Sequence, residues 1–293
     1  MSASSMESAP RMTWANVSRL IRLPSQTGTW LLMLPTLWAL VLSSQGIPPW
    51  QLLVIFILGS FVMRSAGVIL NDLADRSFDR QVARTRQRPL ASGDMAPAHA
   101  LIVLAVLLTL AGLLVLQLNA LTIMLSPAAI ALAALYPFAK RVIHLPQAVL
   151  GIAFGWGTIM AWTASRGVIE NTAWLTFAAT ICWAIAYDTI YALQDMDDDR
   201  RIGVKSSALY FGSAAWLAVC STGAMMLLLL GIGSGMMGIG AITYGVLAAV
   251  GVFLAKQVNE LRNPISPERA FELFQQHVWI GMAILVGLIL GFL

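Results

Sequence analysis

Carboxylates are few in this chain and unevenly placed. Of its 14 acidic residues, Asp72, Asp75 and Asp79 form one short segment, and Asp188, Asp195, Asp197, Asp198 and Asp199 form another. On a helix Asn71, Asp75 and Asp79 recur every fourth residue and share a face, as do Asp188, Asp195 and Asp199 at spacings of seven and four. Like charges so placed repel unless a cation sits among them. An all-oxygen, carboxylate-rich set suits Mg²⁺, which bridges protein carboxylates and substrate phosphates. Ca²⁺ is the other hard cation to weigh, but the sequence has no twelve-residue EF-hand loop. A plainer reading makes these acids the wet ends of helices, balanced by neighbouring arginines. Two segments of one design, with Asp75 and Asp195 in corresponding places, weigh against it.

Basic residues follow each cluster: Arg84, Arg86 and Arg88 after the first, Arg200, Arg201 and Lys205 after the second. Carboxylates alone would repel a phosphate, whereas carboxylates, Mg²⁺ and guanidinium groups together make a diphosphate clamp. Arg64 is separate. It lies two turns before Asn71 in an apolar run, where a charge is costly unless it faces a wet cavity or a partner. Seven residues apart, Arg64 and Asn71 face the same space. Arg64 therefore either binds an anionic substrate group or pairs with an aspartate.

The elements that must hold these residues follow from composition. The 293 residues are 58% hydrophobic and 11% charged, with a mean hydropathy of +0.77. A soluble domain of that size could not cover its surface, so lipid is the expected solvent. Nine runs reach the roughly 20 apolar residues that a spanning helix needs. They cover about 27–45, 51–70, 98–117, 119–138, 145–164, 172–193, 209–230, 235–255 and 275–293. Runs this long and uniform exclude barrel strands, so the fold class is all-α and polytopic. An amino-terminal arm over 1–22 precedes one transmembrane domain over 23–293, with a hint of duplicated halves at about 23–140 and 141–293. Gly231 to Gly240 reads as a flexible turn with close helix packing. Cys182 and Cys220 lie in apolar runs and read as small hydrophobes.

With the amino terminus cytoplasmic, every Lys and Arg except Arg64 and Arg166 falls on the inner side. Both acidic clusters then lie at the inner face. The first ten residues carry Glu7 and no arginine, unlike a transit or signal segment.

At these residues the chain resembles the UbiA family of intramembrane aromatic prenyltransferases. Asn-Asp-x-x-Asp-x-x-x-Asp is complete at Asn71, Asp72, Asp75 and Asp79, and Arg-Thr-x-x-Arg-Pro-Leu follows from Arg84 to Leu90. Asp-x-x-x-Asp is complete at Asp195 and Asp199, after Tyr187-Asp188-Thr189. Tyr136 to Arg141 and His144 to Gln147 look like the family's fourth loop. The resemblance implies nine helices around a central cavity that opens to lipid, with the active site near the cytoplasmic face. It implies Mg²⁺ on Asn71, Asp75, Asp79, Asp195 and Asp199, with Asp188 joining the four ligand aspartates as catalytic groups. Arg84, Arg88, Lys140 and Arg141 would hold diphosphate, and Arg64, Tyr136 and Asp188 the aromatic acceptor. His144 would pack or cap.

The substrates so implied are a polyprenyl diphosphate and 4-hydroxybenzoate, in ubiquinone biosynthesis at a bacterial inner membrane. Asp195 or the released diphosphate would take the ring proton. Lipid is the only macroscopic partner expected, with no nucleic acid and no obligatory protein. The menaquinone, haem and lipid branches of the family stay open. An ion-coupled transporter is disfavoured, because its acids would sit near midplane rather than at one face.

Overall fold

The structure, a computed structural model, describes residues 11–293 apart from Ala83, His144, Val204 and the side chains of Lys140 and Ile202. The expected roles of the Lys140 side chain and of His144 therefore lie outside the described residues. Among those described there is no strand, and nine helices are long and apolar enough to cross a membrane. They are α1 (Thr27–Ser44), α2 (Trp50–Ala74), α3 (Pro97–Val115), α4 (Ala120–Val142) and α5 (Pro146–Arg166). α6 (Asn171–Leu193), α7 (Ala215–Met236), α8 (Ala241–Glu260) and α9 (Pro267–Gly291) complete the set.

Local chemistry sets the ends. Pro97, Pro146 and Pro267 open their helices in the first turn, where a missing N–H costs nothing. Asn119 caps α4 by accepting from Thr122 N. Gln45, at φ 50°, ends α1, and Gly167, at φ 73°, ends α5. The seventh span, expected from about 209, runs Ser207–Met236 and is jointed: the short helix Ser207–Phe211 leads through a 3₁₀ turn into α7. One sequence expectation shifts. Gly231, Gly233 and Gly235, expected in a turn, continue α7, because lipid requires the backbone to bond internally.

α1 packs on α2, α5 and α9; α5 packs also on α4 and α6; α6, α7, α8 and α9 follow in succession. Without a hydrophobic drive between helices in lipid, close approach and interhelical hydrogen bonds hold them. Gly151 allows α5 to meet α6: a Cβ there would lie 2.8 Å from Ile181 Cα. Thr122 and Thr163 hydroxyls meet at 2.9 Å between α4 and α5, and Trp38 Nε1 donates to Gly281 O at 3.0 Å between α1 and α9. Trp38, Trp162 and Trp183 are fully buried in the largest apolar cluster. α1, α5, α6 and α9 thus form a firm core, and α2 and α4 lean on it around a void.

Candidate active site

That void is a cavity of about 750 Å³ lined by α1 to α6. Along α2 its wall changes character every turn. Phe56 gives way to Ser60, then Arg64, then Val68, and finally Asp72, with Asn71 beside it. At 25 residues α2 is about 37 Å long, so its acidic end reaches beyond a hydrocarbon layer of about 30 Å. One end of the cavity is apolar, and the other is rich in carboxylates and guanidinium groups.

Both aspartate motifs are built on the same backbone device. α2 breaks at Asp75 (φ −98°, ψ 5°), and the short helix Arg76–Asp79 comes next. Beyond α6 the chain breaks at Asp195 (φ −105°, ψ 7°), leading into the short helix Met196–Ile202. In each, the second aspartate's N–H returns to the first one's carbonyl: Asp79 to Asp75 at 2.9 Å and Asp199 to Asp195 at 2.8 Å. These breaks overturn the continuous-helix arithmetic. Asp79 and Asp199 line the cavity with Asn71, Asp188 and Asp195, whereas Asp75 does not. Asp75 is 1% exposed, with Arg141 Nη2 3.7 Å from its Oδ1.

Arginines occupy the acidic end. Arg84 bonds Asp195 through Nε (3.0 Å) and Nη2 (2.5 Å), which ties the loop after α2 to the junction after α6. Arg88 Nη1 bridges Asp79 Oδ2 at 2.9 Å and Asp72 Oδ1 at 3.2 Å. Arg22 Nη2 lies 2.8 Å from both Asp72 oxygens. Sequence reasoning gave Arg22 only a topological role and Asp72 none. The pair joins residues 50 positions apart, and nothing local signals it except the paired charges themselves. Arg22 holds a left-handed backbone (φ 58°), a conformation that non-glycine residues take at some cost.

Deeper in the cavity, Arg64, Tyr136 and Asp188 come together as expected of one pocket. Tyr136, Tyr187 and Tyr191 all act on Arg64 electrostatically, and Asp188 acts on Tyr136. Among the described residues Arg64 makes no hydrogen bond and no ion pair. Its alternative role, structural pairing with an aspartate, is therefore not what the fold uses. Gln147, 3% exposed on the cavity wall, has its Oε1 without a partner. The sequence placed it in the family-like fourth loop but assigned it no role of its own.

The donors Asn71, Asp79, Asp195 and Asp199 bring only hard oxygens to the acidic end. Among the described residues no three His, Cys, Asp or Glu side chains converge on one point. A divided oxygen set fits Mg²⁺, which takes one or two carboxylates and fills its shell with water and phosphate oxygens. It does not fit Zn²⁺, which favours a closed nitrogen and sulfur cage.

The UbiA prenyltransferase family model matches residues 32–289. This chain belongs to the UbiA prenyltransferase family. Both paired aspartate motifs fall inside the matched region. Among UbiA relatives, a 4-hydroxybenzoate octaprenyltransferase from Ectopseudomonas mendocina is 44% identical over 274 residues, covering 94% of this chain and 92% of its own. Among solved UbiA structures, the apo homologue from Aeropyrum pernix K1 superposes with a TM-score of 0.79 at 26% identity, covering 92% of this chain and 100% of that one. The Archaeoglobus fulgidus UbiA homologue bound to GPP and Mg²⁺ has a TM-score of 0.65 at 17% identity, over 94% and 99% of the two chains, and shows the shared fold. Nine apolar helices and UbiA membership make this chain an integral membrane prenyltransferase.

Proposed function

We propose that this enzyme transfers a polyprenyl group from its diphosphate to the carbon ortho to the hydroxyl of 4-hydroxybenzoate, in the ubiquinone pathway of a bacterial inner membrane. One observation carries the reading: a single cavity joins Arg64, a guanidinium unpaired among the described residues, to two matching aspartate junctions clothed in arginine. The acceptor's carboxylate and the donor's diphosphate are the two anions such a cavity separates. The likeness to a bacterial 4-hydroxybenzoate octaprenyltransferase supports the same substrate.

Mg²⁺ held by Asn71, Asp79, Asp195 and Asp199, with Asp75 backing the first junction, would neutralise charge on the departing diphosphate. Arg84, whose side chain is 39% exposed, and Arg88 turn from their aspartates to phosphate oxygens. Arg141 and the Lys140 side chain serve the same group. Arg64 fixes the benzoate carboxylate, with Tyr136 and Asp188 orienting the ring. Apolar side chains such as Phe56 and Met160 exclude water while the allylic C–O bond breaks and the C–C bond forms. The ring proton leaves to Asp195 or to the diphosphate. The acidic end and the amino terminus face the cytoplasm, in keeping with the Lys and Arg distribution. The two matching junctions also support a duplicated origin for the halves at about 23–140 and 141–293.

Purified protein with Mg²⁺, labelled 4-hydroxybenzoate and geranyl diphosphate should yield a geranylated hydroxybenzoate identified by mass. No such product from folded protein would sink the proposal. Arg64→Ala should raise KM for 4-hydroxybenzoate by about tenfold or more, in line with a lost charge-assisted hydrogen bond, and leave KM for the diphosphate near its starting value.

A further inference from the structure

Arg64 is seated by what another residue lacks. A Cβ on Gly28 would fall 2.5 Å from Arg64 Nη2, 2.6 Å from Nε and 2.9 Å from Cζ. The Nε–Nη2 edge of the guanidinium therefore meets the bare backbone of α1's first turn. Conformational freedom does not explain this glycine, since its φ is not among the positive ones. Helix propensity would favour alanine there. Two other cavity glycines differ: Gly59 and Gly67 have nothing within 4 Å of a Cβ, so they leave open space. Gly28 instead receives a side chain.

The electrostatics of the contact are unfavourable as it stands. α1 starts without a side-chain cap on Gln26, whose Oε1 accepts from the Thr29 hydroxyl instead. The N–H groups of Thr27 and Gly28 have no hydrogen-bond partner among the described residues. A helix start of this kind carries partial positive charge, and Arg64, which has no counter-ion among the described residues, is pressed against it. Arg22 adds a further repulsion. An anion joining Arg64 at this turn relieves all three.

We infer that Gly28 is a positioning residue for the aromatic acceptor: its missing side chain seats Arg64 at the first turn of α1, and the two together receive the acceptor's carboxylate. The inference rests on the proposed role of Arg64 and adds a second residue to it. A methyl group at 28 must push the guanidinium off its seat. A shorter lysine at 64 lacks the fork that would collide.

The test is a steady-state comparison of Gly28→Ala, Arg64→Ala, Arg64→Lys and the Gly28→Ala/Arg64→Lys pair, each purified in detergent with Mg²⁺. Gly28→Ala should raise KM for 4-hydroxybenzoate at least fivefold, with KM for geranyl diphosphate and kcat at saturating acceptor within twofold of the parent. In the Arg64→Lys background the same alanine should change acceptor KM less than twofold. Thermal unfolding of Gly28→Ala should not fall below the parent; if it does, the paired variant alone decides. Acceptor KM unmoved by Gly28→Ala but raised by Arg64→Ala overturns this inference and leaves the proposed function standing. Acceptor KM unmoved by both variants removes the proposed role of Arg64 and this inference with it. A fivefold rise from the alanine even in the Arg64→Lys background makes Gly28 merely structural and overturns the inference as well.

Discussion

The two aspartate junctions share a backbone and differ in everything around it. At the first, Asp72 and Asp75 are 1% exposed and Asp79 is 7% exposed, held among Arg22, Arg88 and Arg141. At the second, Asp195 has Arg84 as its clamp, and beyond it Asp197 is 95% exposed, with only Arg200 3.7 Å away. The first junction is thus finished by the protein itself. The second stands open at the cavity's rim, where a ligand can complete it. Identical chain geometry has been put to two uses, a fixed wall and a receptive one.

The sharpest way to test that division is to remove one carboxylate from each side. Asp75→Ala and Asp195→Ala should both cut Mg²⁺-dependent turnover by about a thousandfold, the scale of losing a central electrostatic group. Only Asp75→Ala should also lower the thermal midpoint, because Asp75 is 1% exposed in a packed wall, whereas Asp195 is 18% exposed and the Arg84 it would release, 39% exposed, can be rehydrated. Equal midpoints for the two variants would erase the distinction.

Next in size is Asp72→Ala, which leaves Arg22 without its carboxylate in a largely buried place and Arg88 with Asp79 alone. Removing one partner of such a network costs about 3 kcal/mol, readable by denaturant or thermal unfolding in detergent. A loss no larger than that from a surface substitution would show that the first wall is not held by its charges.

A smaller effect depends on pH. Arg19 and Ser92 bond Asp94 and hold its carboxyl below the ordinary carboxylate range, while Asp94 O accepts from Arg11 N and from Asn16 Nδ2. The group binds its proton more weakly folded than unfolded. Its contribution is therefore complete above about pH 5, where a free carboxyl is ionised, and fades as pH falls through the depressed value below about pH 4. Both side chains are 45% exposed, so solvent and salt keep the effect under about 1 kcal/mol. The midpoint difference between the parent and Asp94→Asn should shrink on acidification and in high salt. Least of all, Asp197→Ala should change stability by no more than about 0.5 kcal/mol; a larger loss would mean that the second junction is as firmly built as the first.

Much of this was legible in the residues. Uniform apolar runs could only be helices in lipid, and the paired motifs with Arg64 marked the polar end of a cavity. The features that escaped had a common cause. Counting by fours assumes an unbroken helix, and the breaks at Asp75 and Asp195 rotate the next turn of chain, so Asp79 lines the cavity while Asp75 is buried beside Arg141. The joint at Gly212–Ala214 went unseen because the short helix Ser207–Phe211 is apolar enough to read as part of one straight crossing. Arg22 with Asp72, and Gly28 with Arg64, are meetings of distant segments, and a glycine shows nothing of the side chain it makes room for.

The bond between Arg22 and Asp72 has a consequence for how the chain enters the bilayer. It ties the start of α1 to the end of α2, so the first out-and-back excursion of the polypeptide is fastened at its mouth. That fastening can form only if both crossings are made and both ends emerge on one side. A skipped crossing leaves a carboxylate and a guanidinium stranded on opposite shores, and a chain that has made both crossings is the one that can close its own clasp.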